Sequence, residues 1–168
     1  VVHVDGAINP LKDVETINLE LIFADLEVLE KRNQKLEKLI RSGDEDAKKH
    51  KAIIQSLRKI MENGNLPKID TFNIEERKFI EGMNLLSTKP MVLVANLSDD
   101  NSKNNLDDIE AYAKSNGMNI IPAIIKVEYE LAVLEKEEQA EYLELLGMDE
   151  PVLNKIILSG YKLLNLET

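Results

Sequence analysis

The chain has 168 residues, enough for one domain or one domain carrying an insert, with 43% hydrophobic residues to build a core. A net charge of −10, 31% charged residues and only 4% aromatics leave no basic footprint for DNA, no stacking platform for single strands and no attraction to an anionic membrane. With no cysteine there is no disulfide, thiolate nucleophile or cysteine zinc site.

Taken in order, Val1–Val4 is apolar and β-branched and reads as a strand continuing from a longer chain, turned by Asp5-Gly6 and broken again at Asn9-Pro10. The N-terminus has no basic n-region and no apolar h-region, so no signal peptide is expected, and a cytoplasmic protein is. Asp13 is expected to cap a long helix over residues 14–41. Two apolar stripes run along that helix. One is Ile17, Leu21, Ala24 and Val28; the other is Ile22, Leu26, Leu29, Asn33, Leu36 and Ile40. Both alternate steps of four and three, the near-heptad spacing of a helix packed on another helix. Ser42-Gly43-Asp44 breaks the pattern, with Gly43 placed to end a helix. A second helix over residues 46–62 carries Ile53, Ile54, Leu57, Ile60 and Met61. Two long helices joined by a tight polar turn predict an antiparallel, coiled-coil-like helical hairpin. A shorter helix is expected over residues 73–85.

The pattern changes at Pro90. Met91-Val92-Leu93-Val94-Ala95 is a continuous apolar run ending in Asn96, as expected of a parallel strand buried on both faces. A polar loop spans residues 98–105, a helix residues 106–116, and a second buried strand residues 119–125. Helices are expected over residues 127–134, 136–146 and, capped by Asp149 with Pro151 in the first turn, to about residue 164. Alternating strand and helix from residue 90 predicts an α/β fold with a parallel sheet. The longest purely apolar run is Met91–Ala95, far short of a membrane span.

In an open parallel sheet, ligands bind beyond the carboxyl ends of the strands. Those ends carry Asn96-Leu97-Ser98-Asp99 and Ala123-Ile124-Ile125-Lys126. A side-chain amide can pair with both a donor and an acceptor on a purine edge, a carboxylate three residues on can accept from exocyclic N–H groups, and a lysine stem can lie along a flat ring. From spacing alone that signal is weak, and Asn96 and Asp99 are more simply read as capping a turn and the following helix.

Several segments, in one order along nearly the whole chain, resemble the YchF, or Obg-like, family of P-loop NTPases. These are His3-Val4-Asp5-Gly6 through Asn9-Pro10, Asp13–Leu21, Ala24-Asp25-Leu26-Glu27, Glu30-Lys31-Arg32, Leu85–Pro90 with Asn96-Leu97-Ser98-Asp99, Pro122–Glu128, Glu138–Gly147, and Gly160–Leu166. The resemblance implies part of the parallel sheet of a P-loop NTPase domain, with the helical hairpin inserted into it. Residues 1–13 would end a strand and loop of the nucleotide domain, residues 14–87 would form the helical insert, and residues 88–168 would form the base-recognition half. The implied function is that of a ribosome-associated, Mg²⁺-dependent purine nucleotide hydrolase preferring ATP over GTP. Asn96 and Asp99 would read the base, Leu97 would pack on it, and Lys126 would flank its ring, with Ile124 and Ile125 shaping the pocket. Asp99 departs from the family's glutamate, and Leu97 stands where guanine-specific relatives carry lysine.

No Gly-x-x-x-x-Gly-Lys-Ser/Thr occurs in the sequence, so no backbone cradle for phosphates or Mg²⁺ is expected here, and the chain alone is expected to hydrolyse nothing. The resemblance places those parts upstream of Val1 and a C-terminal domain beyond Thr168. An alternative is a non-catalytic protein- or RNA-interaction module working through the hairpin, where Lys48-Lys49-His50-Lys51 is the basic cluster and a contact for the ribosome or its RNA. His50 is expected to be solvated there, and with His3 far away no metal site is expected. Asp99 to Glu110 has EF-hand spacing only faintly, because Lys103 and Asn104 replace a ligand and the turn glycine.

Overall fold

A computed structural model describes residues 9–97 and 106–166. The chain divides into two compact units: Lys12–Lys89, and the described residues of Val1–Leu11 with Pro90–Thr168.

The first unit is helical. Helix α1 spans Pro10–Arg41, helix α2 Glu45–Glu62 and helix α3 Ile74–Glu81. Pro10, not a capped position at Asp13, opens α1; proline is tolerated in a first turn because the missing N–H has no intrahelical partner there, and Asp13 adds negative charge to that turn. At the other end Asp44 N–H donates to Leu39 O (3.1 Å) and Gly43 N–H to Ile40 O (3.0 Å), a Schellman closure that puts Gly43 at φ +93°. Asp44 then caps α2, accepting from Ala47 N–H at 3.0 Å. The chain therefore reverses within three residues. The two helices run antiparallel: Lys51 reaches Glu37, and one heptad further along α2 and back along α1, Arg58 reaches Glu30.

Between the helices lie Ile22, Leu29 and Leu36 of α1 with Ala47, Ile53, Ile54, Leu57 and Met61 of α2, joined by Ile80 and Leu85. Of the two expected stripes, the one through Ile22, Leu29 and Leu36 is buried. The other faces outward, with Ile17 55% and Val28 40% exposed. His50 is not simply solvated: its ring stacks on Phe79 of α3 at 3.9 Å, and Arg32 lies over the same Phe79 ring. Helix α3 is shorter than expected. It starts at a capping box between Asn73 and Glu76 and is followed by Gly82 and a turn through Asn84, at φ 55°.

The second unit holds strands β1, Val92–Asn96, and β2, Asn119–Ala123, with helices α4 (Leu106–Ser115), α5 (Ile125–Ala132), α6 (Lys136–Leu145) and α7 (Val152–Leu163). The strands pair in parallel from Val92↔Asn119 to Asn96↔Ala123. Parallel neighbours need a crossover, and α4 supplies it. Ile121 and Ala123 of β2 pack with Val152 of α7, supported by Val92, Met148 and Ile156. Ile109 and Ala113 of α4 and Val127 and Leu131 of α5 are also buried.

The second strand is shorter than its apolar run. Ile124 is the cap residue of α5, and Ile125 and Lys126 occupy its first helical turn. A short apolar run has no period to separate strand from helix, and here the break falls where the ladder with β1 ends. Nor does Asp149 cap α7; Pro151 holds the cap position without a side-chain bond.

Candidate functional site

The two strands end side by side, Asn96 opposite Ala123. One further ladder bond, from Leu97 N–H to Ala123 O at 2.8 Å, carries the pairing past Asn96 and fixes the backbone there. The Asn96 side chain turns toward the other strand's exit: its Oδ1 accepts from Ile125 N–H at 3.5 Å. That distance is at the long limit for such a bond, so the amide is weakly engaged. Its register partner is followed at once by the N-terminus of α5, whose first amides have no intrahelical acceptor.

Five of the six expected site residues therefore gather at one edge. Asn96 is exposed and Leu97 half-buried, Ile124 is half-buried, and Ile125 and Lys126 are exposed. Ile125, 45% exposed, does not pack into the core. Lys126 projects from the first turn of a helix instead of a strand end. Asp99, with Ser98 and the rest of the loop that also holds the EF-hand spacing, lies outside the described residues. What is assembled is an amide, a short apolar wall and a cationic side chain around a helix N-terminus, at the position where open parallel sheets take ligands.

One neighbour carries no signal in the sequence. Glu128, in the first turn of α5, accepts from Val152 N–H at 2.7 Å and Leu153 N–H at 3.1 Å with its two carboxylate oxygens. These are first-turn amides of α7, which Pro151 leaves without a side-chain cap. Glu128 therefore caps a helix 24 residues away in sequence, and no local cap motif reveals a partner at that separation.

In the helical unit, the basic cluster is paired throughout. Lys48 bonds Glu45 at 2.6 Å, Lys49 bonds Asp46 at 3.0 Å, and Lys51 bonds Glu37 across the hairpin at 2.9 Å. The hydrogen bond and charge of Lys51 hold the Glu37 carboxyl below its ordinary value. Lys49 lowers Asp46 in the same way, and Asp46 raises Lys49. The most enclosed charge is Asp25, 1% exposed. It accepts from Leu86 N–H at 2.8 Å and Ser87 N–H at 2.6 Å. A trace of it was legible, because Asn18, Ile22, Asp25 and Leu29 alternate steps of four and three, putting polar residues on the buried stripe.

Among the described residues there is no cluster of three acidic or histidine groups able to hold a metal ion, and no helix is long and apolar enough to cross a membrane.

No protein-family model matches the chain. Individual proteins do. The chain is 40% identical over 170 residues to the ribosome-binding ATPase YchF of Haemophilus ducreyi, and 37% identical over 173 residues to that of Bacillus subtilis; each match covers 100% of the chain and 47% of the relative. Among solved structures, the YchF GTPase of Schizosaccharomyces pombe matches 98% of the chain, and 47% of its own, with a TM-score of 0.78 and 27% identity. The chain thus spans about half the length of the curated relatives it matches.

Proposed function

Because this chain belongs to the YchF family, we propose that the edge formed by Asn96, Leu97 and residues 124–126 is the base-recognition part of a purine nucleotide site, within a whole protein that hydrolyses ATP and works on the ribosome in the cytoplasm. The observation that carries this reading is the convergence of the Asn96 amide and the α5 N-terminus at the carboxyl ends of two parallel strands. Asn96 is exposed and its amide only weakly held, so a purine edge can replace the long bond to Ile125 at little cost. Leu97 and Ile125 offer apolar contact to the ring, and the Lys126 stem flanks it. Asp99 completes the set by accepting from the exocyclic N–H groups.

The residues present suit a base better than a triphosphate. They include one amide and one ammonium and, in sequence, no glycine-rich cradle. Bound Mg²⁺ would supply charge neutralisation at the β- and γ-phosphates, and we assign it no ligand in this chain. Residues 96–126 bind and orient the base; positioning of the γ-phosphate belongs to the rest of the whole protein.

The relatives' names divide between ATPase and GTPase, so the preference for ATP is the sharpest part of the proposal. Its test is the ATP-to-GTP selectivity of the whole protein carrying Asn96→Ala. Loss of base selectivity with hydrolysis retained supports the assignment, and unchanged selectivity removes it. A contact of the helical pair with the ribosome or its RNA is proposed with it. Lys48 and Lys49 are paired only to exposed carboxylates on their own helix, and such surface pairs are weak enough for phosphate groups to displace.

A further inference from the structure

We propose that Glu128 is the positioning residue of this site: it ties the first turn of α5 to the N-terminus of α7 and so sets where Ile125 and Lys126 meet the base. The inference rests on the base-recognition reading above.

The first turn of α5 begins without a side-chain cap. Its cap residue, Ile124, makes no side-chain bond, and the long contact from Ile125 to Asn96 is the one a ligand would displace. Val127 is buried and holds one side of the turn. Glu128, next in sequence, supplies the directional constraint through two bonds to amides of another helix. Those amides sit on a firm base, since Val152 is 6% exposed and packs on Ile121 and Ala123 of β2. Position is therefore passed from the sheet to α7, from α7 to Glu128, and from Glu128 to the turn that presents Lys126. The bonds are charge-assisted and lie at the positive end of the α7 dipole, which strengthens both. A carboxylate is required because two separate donors each need an oxygen. Glutamine offers one oxygen and turns its NH₂ against the second N–H.

The test uses the ¹⁵N-labelled whole protein, titrated separately with ATP, GTP and inorganic tripolyphosphate and followed by amide shifts of Leu97 and residues 125–127. The variants are Asn96→Ala, Glu128→Gln and Leu153→Pro. The last deletes one of the two donors from an exposed position in a first helical turn, where proline is tolerated, without altering α5. The expected result is that Glu128→Gln and Leu153→Pro each reduce the ATP-to-GTP affinity ratio by about fivefold, the scale of one lost hydrogen bond. Tripolyphosphate shifts should stay unchanged and the thermal transition should stay cooperative. A loosened fold alone would weaken both nucleotides equally and leave the ratio intact. A ratio unchanged in both variants, while Asn96→Ala abolishes it, overturns the role of Glu128 and leaves the base site standing. A ratio insensitive to Asn96→Ala, or a wild-type whole protein that does not distinguish ATP from GTP, overturns the base site and this inference with it.

Discussion

Replacing Asp25 tests whether one carboxylate closes the helical unit. Both of its oxygens are used, by Leu86 N–H at 2.8 Å and Ser87 N–H at 2.6 Å, across more than sixty residues of chain. Hydrogen bonds to a charged group contribute about 1.5–3 kcal/mol each, and a buried donor left without a partner costs about 1–3 kcal/mol. Against this, Asp25→Ala relieves the cost of holding a carboxylate at 1% exposure, which is several kcal/mol before compensation. The net expectation is a loss of about 3 kcal/mol. Asp25→Asn keeps one acceptor, which serves the more deeply buried Ser87 amide and leaves the part-buried Leu86 amide to find water, so its loss is smaller, about 1.5 kcal/mol. Urea unfolding can assign the effect to a unit. All four tyrosines, at 112, 129, 142 and 161, lie outside Lys12–Lys89, so tyrosine fluorescence follows the α/β unit while far-UV dichroism follows helices of both. The dichroism transition should move and the tyrosine transition should not. A loss below about 1 kcal/mol for Asp25→Ala, or equal losses for the alanine and asparagine variants, would refute the argument that two satisfied oxygens are what matter.

The ion pair between Glu37 and Lys51 gives a pH dependence. The folded Glu37 carboxyl sits below its unfolded value, so its contribution is present above the unfolded value, about pH 4.3, and is lost as the pH falls through the folded one. Acid urea titrations should show stability declining below that point, and Glu37→Gln should flatten the decline. Gly43 stands at φ +93° with open space around the position a Cβ would take, so Gly43→Ala should cost only backbone strain, about 1 kcal/mol in the urea midpoint. A larger loss would mean a collision that the geometry does not contain.

The helices were the most legible part of the sequence because period and punctuation agree there. The stripe of Ile22, Leu29 and Leu36, the break at Ser42-Gly43-Asp44 and the second stripe ending at Met61 all fall where the structure puts them. The errors arose where one residue type serves two structures. Ile124 and Ile125 extend an apolar run, yet one caps a helix and the other starts it, since nothing in the run marks where the ladder with β1 stops. Asp13 and Asp149 have the composition of caps, but proline opens α1 and occupies the cap position of α7. The outward stripe through Ile17 and Val28 had the same spacing as the buried one, because periodicity fixes which residues share a face and not which face is covered.

The candidate site divides along the same line. Asn96 was legible because a polar residue closes the first apolar run, whereas the second strand end was legible only to within two residues, because its apolar run continues into α5. Glu128 was not, because its partners are backbone amides that become free only once Pro151 fails to cap α7. In the proposed purine site, an amide, an apolar wall and a lysine are common chemistry, and selectivity depends on how tightly they are held. The Glu128 bonds that hold the first turn of α5 run to an element with no local link in the sequence. On the proposed reading, selectivity at this edge should therefore respond to Glu128 and to the first turn of α7, by about fivefold, as well as to Asn96, whose truncation should abolish it.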